Sequence, residues 1–305
     1  MKSQKFGIML VLISGIMWGF SGVIGQYIFL NSTMNSVQLS IIRQFVSGII
    51  LLTISVIKKD KKLFSVWKSG KRICSFLFFS LTGILGLQLT YFLAIEYSNA
   101  ATGTIIQFTY IIMILVYTAI VLHNKPKSYE TVAVLCAFCG IFLIATHGQL
   151  NSLSVSKESL IWGLSSAVCF TIYCLYPQKL YDDFGLINVI GWGSVLSSIL
   201  LAVTTGTYRL PEVPANIILL SVAVAIIGSL FPFVLYGIGI RILGSVKASL
   251  FVTVEPVTSA VLTWLCFKTK FVLPDIIGFV LILGAIEVVS VITFKEKNKS
   301  LHYRK

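Results

Sequence analysis

Long apolar runs separated by short polar joints extend through the whole chain. The runs are continuous rather than alternating, and ten of them cover residues 7–30, 36–57, 73–95, 100–122, 129–147, 159–179, 187–206, 216–236, 246–267 and 272–294. A bilayer core needs roughly 20 apolar helical residues per crossing, whereas a barrel strand is about half as long and alternates. The pattern predicts an all-α integral membrane fold with ten transmembrane helices, here called spans one to ten.

Composition supports a membrane protein without a soluble part. Of 305 residues, 56% are hydrophobic and 11% are charged, and the mean hydropathy is +0.92. An ordinary soluble domain carries roughly 25% charged residues. The longest joint, residues 58–72, is too short to form a soluble domain.

The net charge of +13 comes from Lys and Arg residues that are unevenly distributed between the two sides of the predicted membrane topology. With the N-terminus inside, most of the 24 Lys and Arg residues fall on one side, and the opposite side holds Lys157, Arg209, Lys268 and Lys270. This positive-inside bias predicts a multi-pass protein of the plasma membrane with both termini cytoplasmic, and it leaves no reason to expect nucleic acid as a partner. Attraction of anionic membrane lipid to the run 58–62 is a by-product of the same charges.

The chain repeats itself at an offset of 145 residues. Tyr91 then falls on Tyr236, the small-residue patch 99–104 falls on 244–249, and spans one to five correspond to spans six to ten. Because five is an odd number, the second copy must enter the membrane from the opposite side. The sequence predicts two inverted five-helix repeats, residues 1–150 and 151–305, which together form one membrane domain.

Several local motifs resemble the drug/metabolite transporter superfamily, in particular its EamA-type ten-helix members. They are "GIMWG", "IRQFVSG" and "YFLAIEYSNAATGT" in the first repeat, and "YGIGIRILGSVKAS" followed by the pair Glu255-Pro256 in the second. The resemblance implies two inverted five-helix repeats and the transport of small metabolites. Similar proteins export amino acids and other metabolites, and some related transporters import organic cations such as choline.

The chain departs from this family pattern at three places. Ile111 stands where span four commonly carries a proline, and the Gly-Glu that usually ends spans four and nine is replaced by His123-Asn124 and Lys268-Thr269. The fold expectation is unaffected, whereas transfer of a substrate from a relative is weakened.

Glu255 and Pro256 stand in the middle of span nine. Pro256 has no N–H and should free the carbonyl of Val252, a break tolerated in lipid only where protein or a wet cavity covers it. We expect Glu255, near the bilayer middle, to face the bundle interior and to be paired, hydrated or protonated. It is a candidate proton carrier, and the alternative is a neutral carboxyl that hydrogen-bonds a neighbouring helix and fixes the bend.

Arg43 is the second charged residue expected inside the bundle, and its five donors require acceptors or an anion. It is interpreted either as a clamp between helices or as a substrate contact. Glu287 in span ten is a second protonation or cation site, or a partner of a basic residue. The remaining candidates either line a pathway or pack: Trp18, Tyr110, Gln107, Tyr91, Gln88 and Tyr173, with Pro232 as a second kink.

Small residues recur at close spacing in span one. Gly15, Gly19, Gly22 and Gly25 permit close approach of neighbouring helices, and packing within one chain is the favoured interpretation over dimerisation.

A helical membrane protein of this kind could belong to three function classes: transporter, membrane-embedded enzyme and channel. The sequence has no HExxH, no paired-acid motif, no nucleotide-binding loop and no repeated polar rings. We therefore predict a secondary transporter and not an enzyme, with no cofactor, metal or nucleotide, for which a monomer is sufficient. A carboxylate would suit Arg43 and an amine would suit Glu255, so an amino acid or amine is the expected solute, with protons as the candidate coupling ion. A choline-like cation importer is the alternative.

Overall fold

The computed structural model describes residues 2–70, 72–120, 128–147, 154–209, 212–243, 248 and 251–302. Helices account for nearly all of these residues, and no strand occurs within those ranges. The helices are α1 Lys2–Asn31, α2 Ser36–Ile57, α3 Ser65–Lys68, α4 Ile73–Glu96, α5 Ala100–Phe108, α6 Tyr110–Ile120, α7 Ser128–Thr146, α8 Lys157–Leu175, α9 Gln178–Phe184, α10 Leu186–Thr205, α11 Ala215–Leu243, α12 Val254–Phe267 and α13 Leu273–His302.

The helices confirm the all-α membrane fold. Among the described residues, α1, α2, α4, α8, α10 and α11 are long and apolar enough to cross a membrane. Shorter apolar helices occupy spans four, five and nine, and α13 occupies span ten. Several boundaries differ from the prediction. Span six ends at Leu175 rather than at residue 179, because Pro177 separates it from the short helix α9. The helices of spans eight and ten continue to Leu243 and His302, beyond residues 236 and 294.

The two repeats are inverted, as the contact between α2 and α10 illustrates. A Cβ atom at Gly48 would lie 2.8 Å from Val195, and one at Gly191 would lie 3.0 Å from Leu52. Rising residue numbers on one helix therefore meet falling numbers on the other, so the helices are antiparallel. These two helices hold equivalent places in the two repeats.

The repeats also share their irregular turns. A π-helical segment, Ser80–Gly86, lies in α4, and the corresponding segment Ile226–Leu230 lies in α11. Span four is interrupted at Thr109 and span nine at Thr253. Span four thus breaks without the proline that span nine has, so tertiary packing is sufficient to place this interruption.

The expected boundary between the repeats, at residues 150 and 151, lies outside the described residues, as does most of the patch 244–249. The division of the chain at that position stays a prediction.

The joint 58–72 belongs to the first repeat and docks onto the second. Asn188 Nδ2 donates to Asp60 Oδ2 at 2.9 Å, and its Oδ1 accepts a hydrogen bond from Ser55. Trp192 Nε1 donates to the carbonyl of Leu63 at 2.7 Å. These hydrogen bonds fix the basic joint against α10.

We expect Asp60→Asn to loosen this joint and to speed tryptic cleavage within residues 58–62 severalfold. The backbone N–H of Lys62, followed by the Asn188 amide, lowers the pKa of Asp60 below its usual value. The carboxylate therefore stabilises the docked joint above about pH 4 and loses this effect as pH falls through the lowered pKa. Asp182→Asn, at an exposed side chain nearby, is the control, and equal cleavage of both variants would contradict the assignment.

We expect Gly140→Ala to lower the unfolding temperature of the purified protein. The added Cβ atom would lie 2.8 Å from the carbonyl oxygen of Gly278, where α7 and α13 cross. Such overpacking costs about 1–3 kcal/mol. Gly284→Ala is the matched control, because nothing lies within 4 Å of its added Cβ atom. A loss of stability no greater than that of the control would disprove close packing at this crossing.

Candidate functional site

A cavity of about 30 Å³ lies between the two repeats, near the middle of the helices that surround it. Both repeats contribute to its wall, through α1, α2, α4 and α5 from the first and α8, α11 and α12 from the second. The lining residues are Trp18, Arg43, Leu87, Gln88, Tyr91, Gln107, Phe170, Phe233 and Glu255.

Six of the eight residues expected along a pathway line this cavity, and Tyr110 and Tyr173 do not. Tyr110 stacks on Phe170 with ring centroids 4.2 Å apart, and Tyr173 contacts Phe233 at 5.2 Å. Both tyrosines lie behind the aromatic wall rather than in it. For Tyr110 the reason is the interruption at Thr109, which changes the direction of the side chains that follow.

Leu87, Phe170 and Phe233 line the cavity and were missed. The internal repeat held a signal for one of them, because the offset of 145 places Phe233 on Gln88. The other two have no polar atom that would distinguish them from ordinary packing residues.

Pro232 positions two of the predicted site residues through a backbone carbonyl. Proline has no N–H, so the carbonyl of Gly228, four residues earlier, lacks its usual α-helical donor. Trp18 Nε1 donates to that oxygen at 2.9 Å and Arg43 Nη2 donates to it at 2.5 Å. The carbonyl joins α1 and α2 to α11, a role beyond the kink that the sequence predicted.

Arg43 makes further contacts that fix its guanidinium group. Its Nε donates to Ser229 Oγ at 2.6 Å, and its Cζ lies 4.9 Å from the centre of the Phe92 ring. Its Nη1 is buried and has no hydrogen-bond partner among the described residues. Arg43 therefore links neighbouring helices, while its Nη1 group is left available as a hydrogen-bond donor.

Glu255 faces the cavity and is 3% exposed. Its Oε2 is buried without a hydrogen-bond partner in the described part of the chain. Within those residues no ion pair to Arg43 is formed at 4.0 Å or less. The side chains of Glu255 and Arg43 thus border the same cavity without forming an ion pair with each other.

The glycines of α1 lie against the interrupted part of span nine. A Cβ atom at Gly15 would be 3.2 Å from the carbonyl of Val252, the group that Pro256 leaves free. One at Gly19 would be 3.0 Å from the carbonyl of Glu255. The small residues let α1 cover the break, which agrees with their interpretation as packing residues within one chain.

The two ends of the cavity differ in chemistry. Toward the predicted outer side, Tyr91 OH is 2.9 Å from Thr104 Oγ1, which donates to Ser259 Oγ at 3.4 Å. Toward the predicted cytoplasmic side, Trp18 contacts Phe233 and Tyr236 with ring centroids 5.3 Å apart in both cases. Hydrogen-bonded side chains close one end, and aromatic rings pack at the other.

Glu287 lies away from the cavity. Its Oε1 accepts a hydrogen bond from Thr253 Oγ1 at 2.7 Å, at the interruption of span nine. Among the described residues it has no basic partner within 4.0 Å. It therefore ties α13 to the break.

An inverted pair of helical repeats around a small central cavity, with an acid and a guanidinium in its wall, is typical of a membrane transporter. The model of the EamA-like transporter family matches residues 5–146 and 157–291, one match in each repeat, and the chain belongs to this family. The resemblance to the drug/metabolite transporter superfamily is thereby confirmed, and the chain is placed among transporters rather than enzymes.

The chain is similar to several bacterial proteins along most of its length. The uncharacterized inner membrane transporter YicL of Salmonella typhimurium is 37% identical over 95% of this chain and 97% of its own. An uncharacterized transporter of Clostridium kluyveri is 22% identical over 99% and 97%, respectively. A solved crystal structure has the same fold, with a TM-score of 0.66 at 14% identity, covering 95% of this chain and 98% of the other.

We expect Arg43→Lys to destabilise the protein, because an ammonium group cannot reproduce the planar set of donors that reaches Gly228 and Ser229. The loss should be about 1–3 kcal/mol, measured as a lower unfolding temperature. Arg241→Lys, an exposed position on α11, is the control and should leave the unfolding temperature unchanged. Equal effects of the two substitutions would show that the buried contacts of Arg43 do not matter.

Proposed function

We propose that this chain is a secondary active transporter of small zwitterionic metabolites, amino acids or related amines, with proton coupling through Glu255. One observation carries the proposal. Arg43 Nη1 and Glu255 Oε2 border the same cavity, both are buried, and neither has a hydrogen-bond partner among the described residues.

Unpaired polar groups of this kind are costly unless a ligand or water satisfies them. A solute with both a carboxylate and an ammonium group supplies an acceptor for Arg43 and a donor for Glu255. The aromatic rings of Trp18 and Phe233 provide faces for an ammonium group or an apolar side chain. The cavity volume of about 30 Å³ leaves room for only one or two water molecules, so the solute must be small and the repeats must move apart to admit it.

Alternating access is supported by the relation between the repeats. Inverted halves around a central site give two arrangements that are similar in free energy, one open to each side. The matched interruptions of spans four and nine are places where each half bends. One chain holds the whole cavity, so the proposal requires no second copy.

The plasma membrane is the proposed location, supported by the similarity to YicL, an inner membrane transporter. Cytoplasmic termini are supported by the distribution of Lys and Arg.

The test is transport in proteoliposomes. We expect one or more labelled amino acids or amines to exchange across the membrane and to accumulate when a pH gradient is imposed. Glu255→Gln should abolish the response to the gradient and reduce flux about 10- to 100-fold, the loss expected when a charged hydrogen bond to the solute is removed. Glu287→Gln is the matched control, because it removes a membrane acid that lies outside the cavity.

Equal responses of native protein and Glu255→Gln to the gradient would refute proton coupling through this residue. An absence of flux for every zwitterion tested would refute the substrate class.

An organic-cation importer is the second candidate, favoured by the three aromatic rings Trp18, Phe170 and Phe233 beside one carboxylate. The buried charge of Arg43 opposes it, because a cation without a carboxylate would be repelled. Transport of choline with no competition by amino acids would select this alternative.

A further inference from the structure

A second concave region lies on the membrane-facing surface, at the end of α12 and the start of α13. It is an open groove of about 800 Å³, against about 30 Å³ for the central cavity. The groove is lined by Trp264, Leu265, Lys268, Thr269, Lys270, Phe271, Val272 and Ile276. Trp264 and Leu265 are 59% and 58% exposed, so its apolar wall is open to the acyl chains of the bilayer.

The groove is basic, although it lies on the side of the membrane where the chain has few basic residues. Only four basic residues are predicted on the side opposite the termini, and two of them, Lys268 and Lys270, line the groove. The positive-inside bias disfavours lysines on this side. Both lysines therefore require a local reason.

The backbone conformation of Lys268 is a second sign that this lysine has a local role. This residue ends α12 with a φ of 53°, in the left-handed region, where glycine is favoured and a lysine is strained. Attraction to the carboxyl end of α12 accounts for a cation at this position. It does not account for Lys270, which lies beyond the last turn of the helix.

Among the residues that the structure describes, no acid pairs with Lys268 or Lys270. Asp275 is the nearest acid in sequence, but its Oδ1 is 2.9 Å from His147 Nε2 and its Oδ2 accepts from the backbone N–H of Val272 at 3.1 Å. Within the described ranges neither lysine has an ion-pair partner within 4.0 Å. The groove thus combines two uncompensated ammonium groups with an apolar wall that faces lipid.

We propose that this groove binds an anionic phospholipid of the leaflet opposite the termini. The phosphate lies between the ammonium groups of Lys268 and Lys270, and the acyl chain runs along Trp264, Leu265 and Ile276. The ring of Trp264 stands at the level of the headgroup, where indole rings concentrate. The site is separate from the central cavity and does not depend on the proposed transport activity.

The experiment uses the full chain in vesicles of neutral phosphatidylcholine, with a small fraction of lipid carrying brominated acyl chains. The brominated lipid is either phosphatidylglycerol or phosphatidylcholine, and bromine quenches the fluorescence of tryptophan in contact with it. Because the chain has five tryptophans, the signal of Trp264 is obtained by subtracting the spectrum of Trp264→Phe.

We expect the anionic lipid to quench Trp264 at a lower mole fraction than the neutral lipid. The preference should be about fivefold per lysine and about thirtyfold for the pair. Lys268→Gln combined with Lys270→Gln should remove it. Lys157→Gln combined with Arg209→Gln is the matched control, because it removes the other two basic residues of that side and should keep the preference.

Lys268→Gly separates folding from binding. Glycine relieves the strained backbone, so this variant should be at least as stable as the native protein and should still lose about fivefold in preference. Added inorganic phosphate should leave the quenching unchanged, because a free phosphate lacks the acyl chain.

Three results would overturn the site: no preference for the anionic lipid in the native protein, the same loss in both double variants, or displacement by inorganic phosphate. The second would show a general surface potential, and the third would show an ion site without a lipid.

Discussion

Backbone groups inside a bilayer must find hydrogen-bond partners within the protein, and the centre of this molecule is organised around one carbonyl that lacks its usual α-helical donor. Pro232 cannot donate to the oxygen of Gly228, and the side chains of Trp18 and Arg43 supply two donors. This interaction holds three helices together at the height of the cavity. It also sets the orientation of the indole ring and of the guanidinium group, and the rest of the cavity wall is built around these two groups.

The scaffold is symmetric, whereas the chemistry placed on it is not. At the offset of 145 residues, Arg43 corresponds to Asn188 and Gln88 corresponds to Phe233. Arg43 binds Gly228 beside the cavity, while Asn188 fixes the basic joint through Asp60 at the cytoplasmic side. Equivalent backbone positions thus place charge and polarity toward one end of the cavity and aromatic rings toward the other. A transporter built this way has two related arrangements but two different ends, so its two open states need not bind solute equally.

The candidate site could be predicted in part, and the misses have a common cause. Intramembrane polarity identified Glu255, Arg43, Gln88 and Gln107, because such residues are expensive in lipid and must face the interior. Tyr110 was expected beside them because the repeat places it opposite Glu255 near the membrane midplane, and Tyr173 was a weaker candidate in span six. Depth fixes the height of a residue, but the direction of its side chain depends on the helical turn, and the interruption at Thr109 altered that direction for Tyr110.

The sequence by itself determined the ten apolar spans, the repeat and its inversion, because the length of an apolar run and an odd number of crossings leave few alternatives. Only the tertiary structure decided which polar atoms meet. The bonds of Gly228 with Trp18 and Arg43 join residues roughly 200 positions apart, and no local pattern encodes such a distance. The π-helical segment Ser80–Gly86 and the break at Thr109 also come from packing, since no proline follows either of them within the helix. Burial of Arg43 and Glu255 beside one cavity, without an ion pair between them, depends on how the two repeats pack against each other.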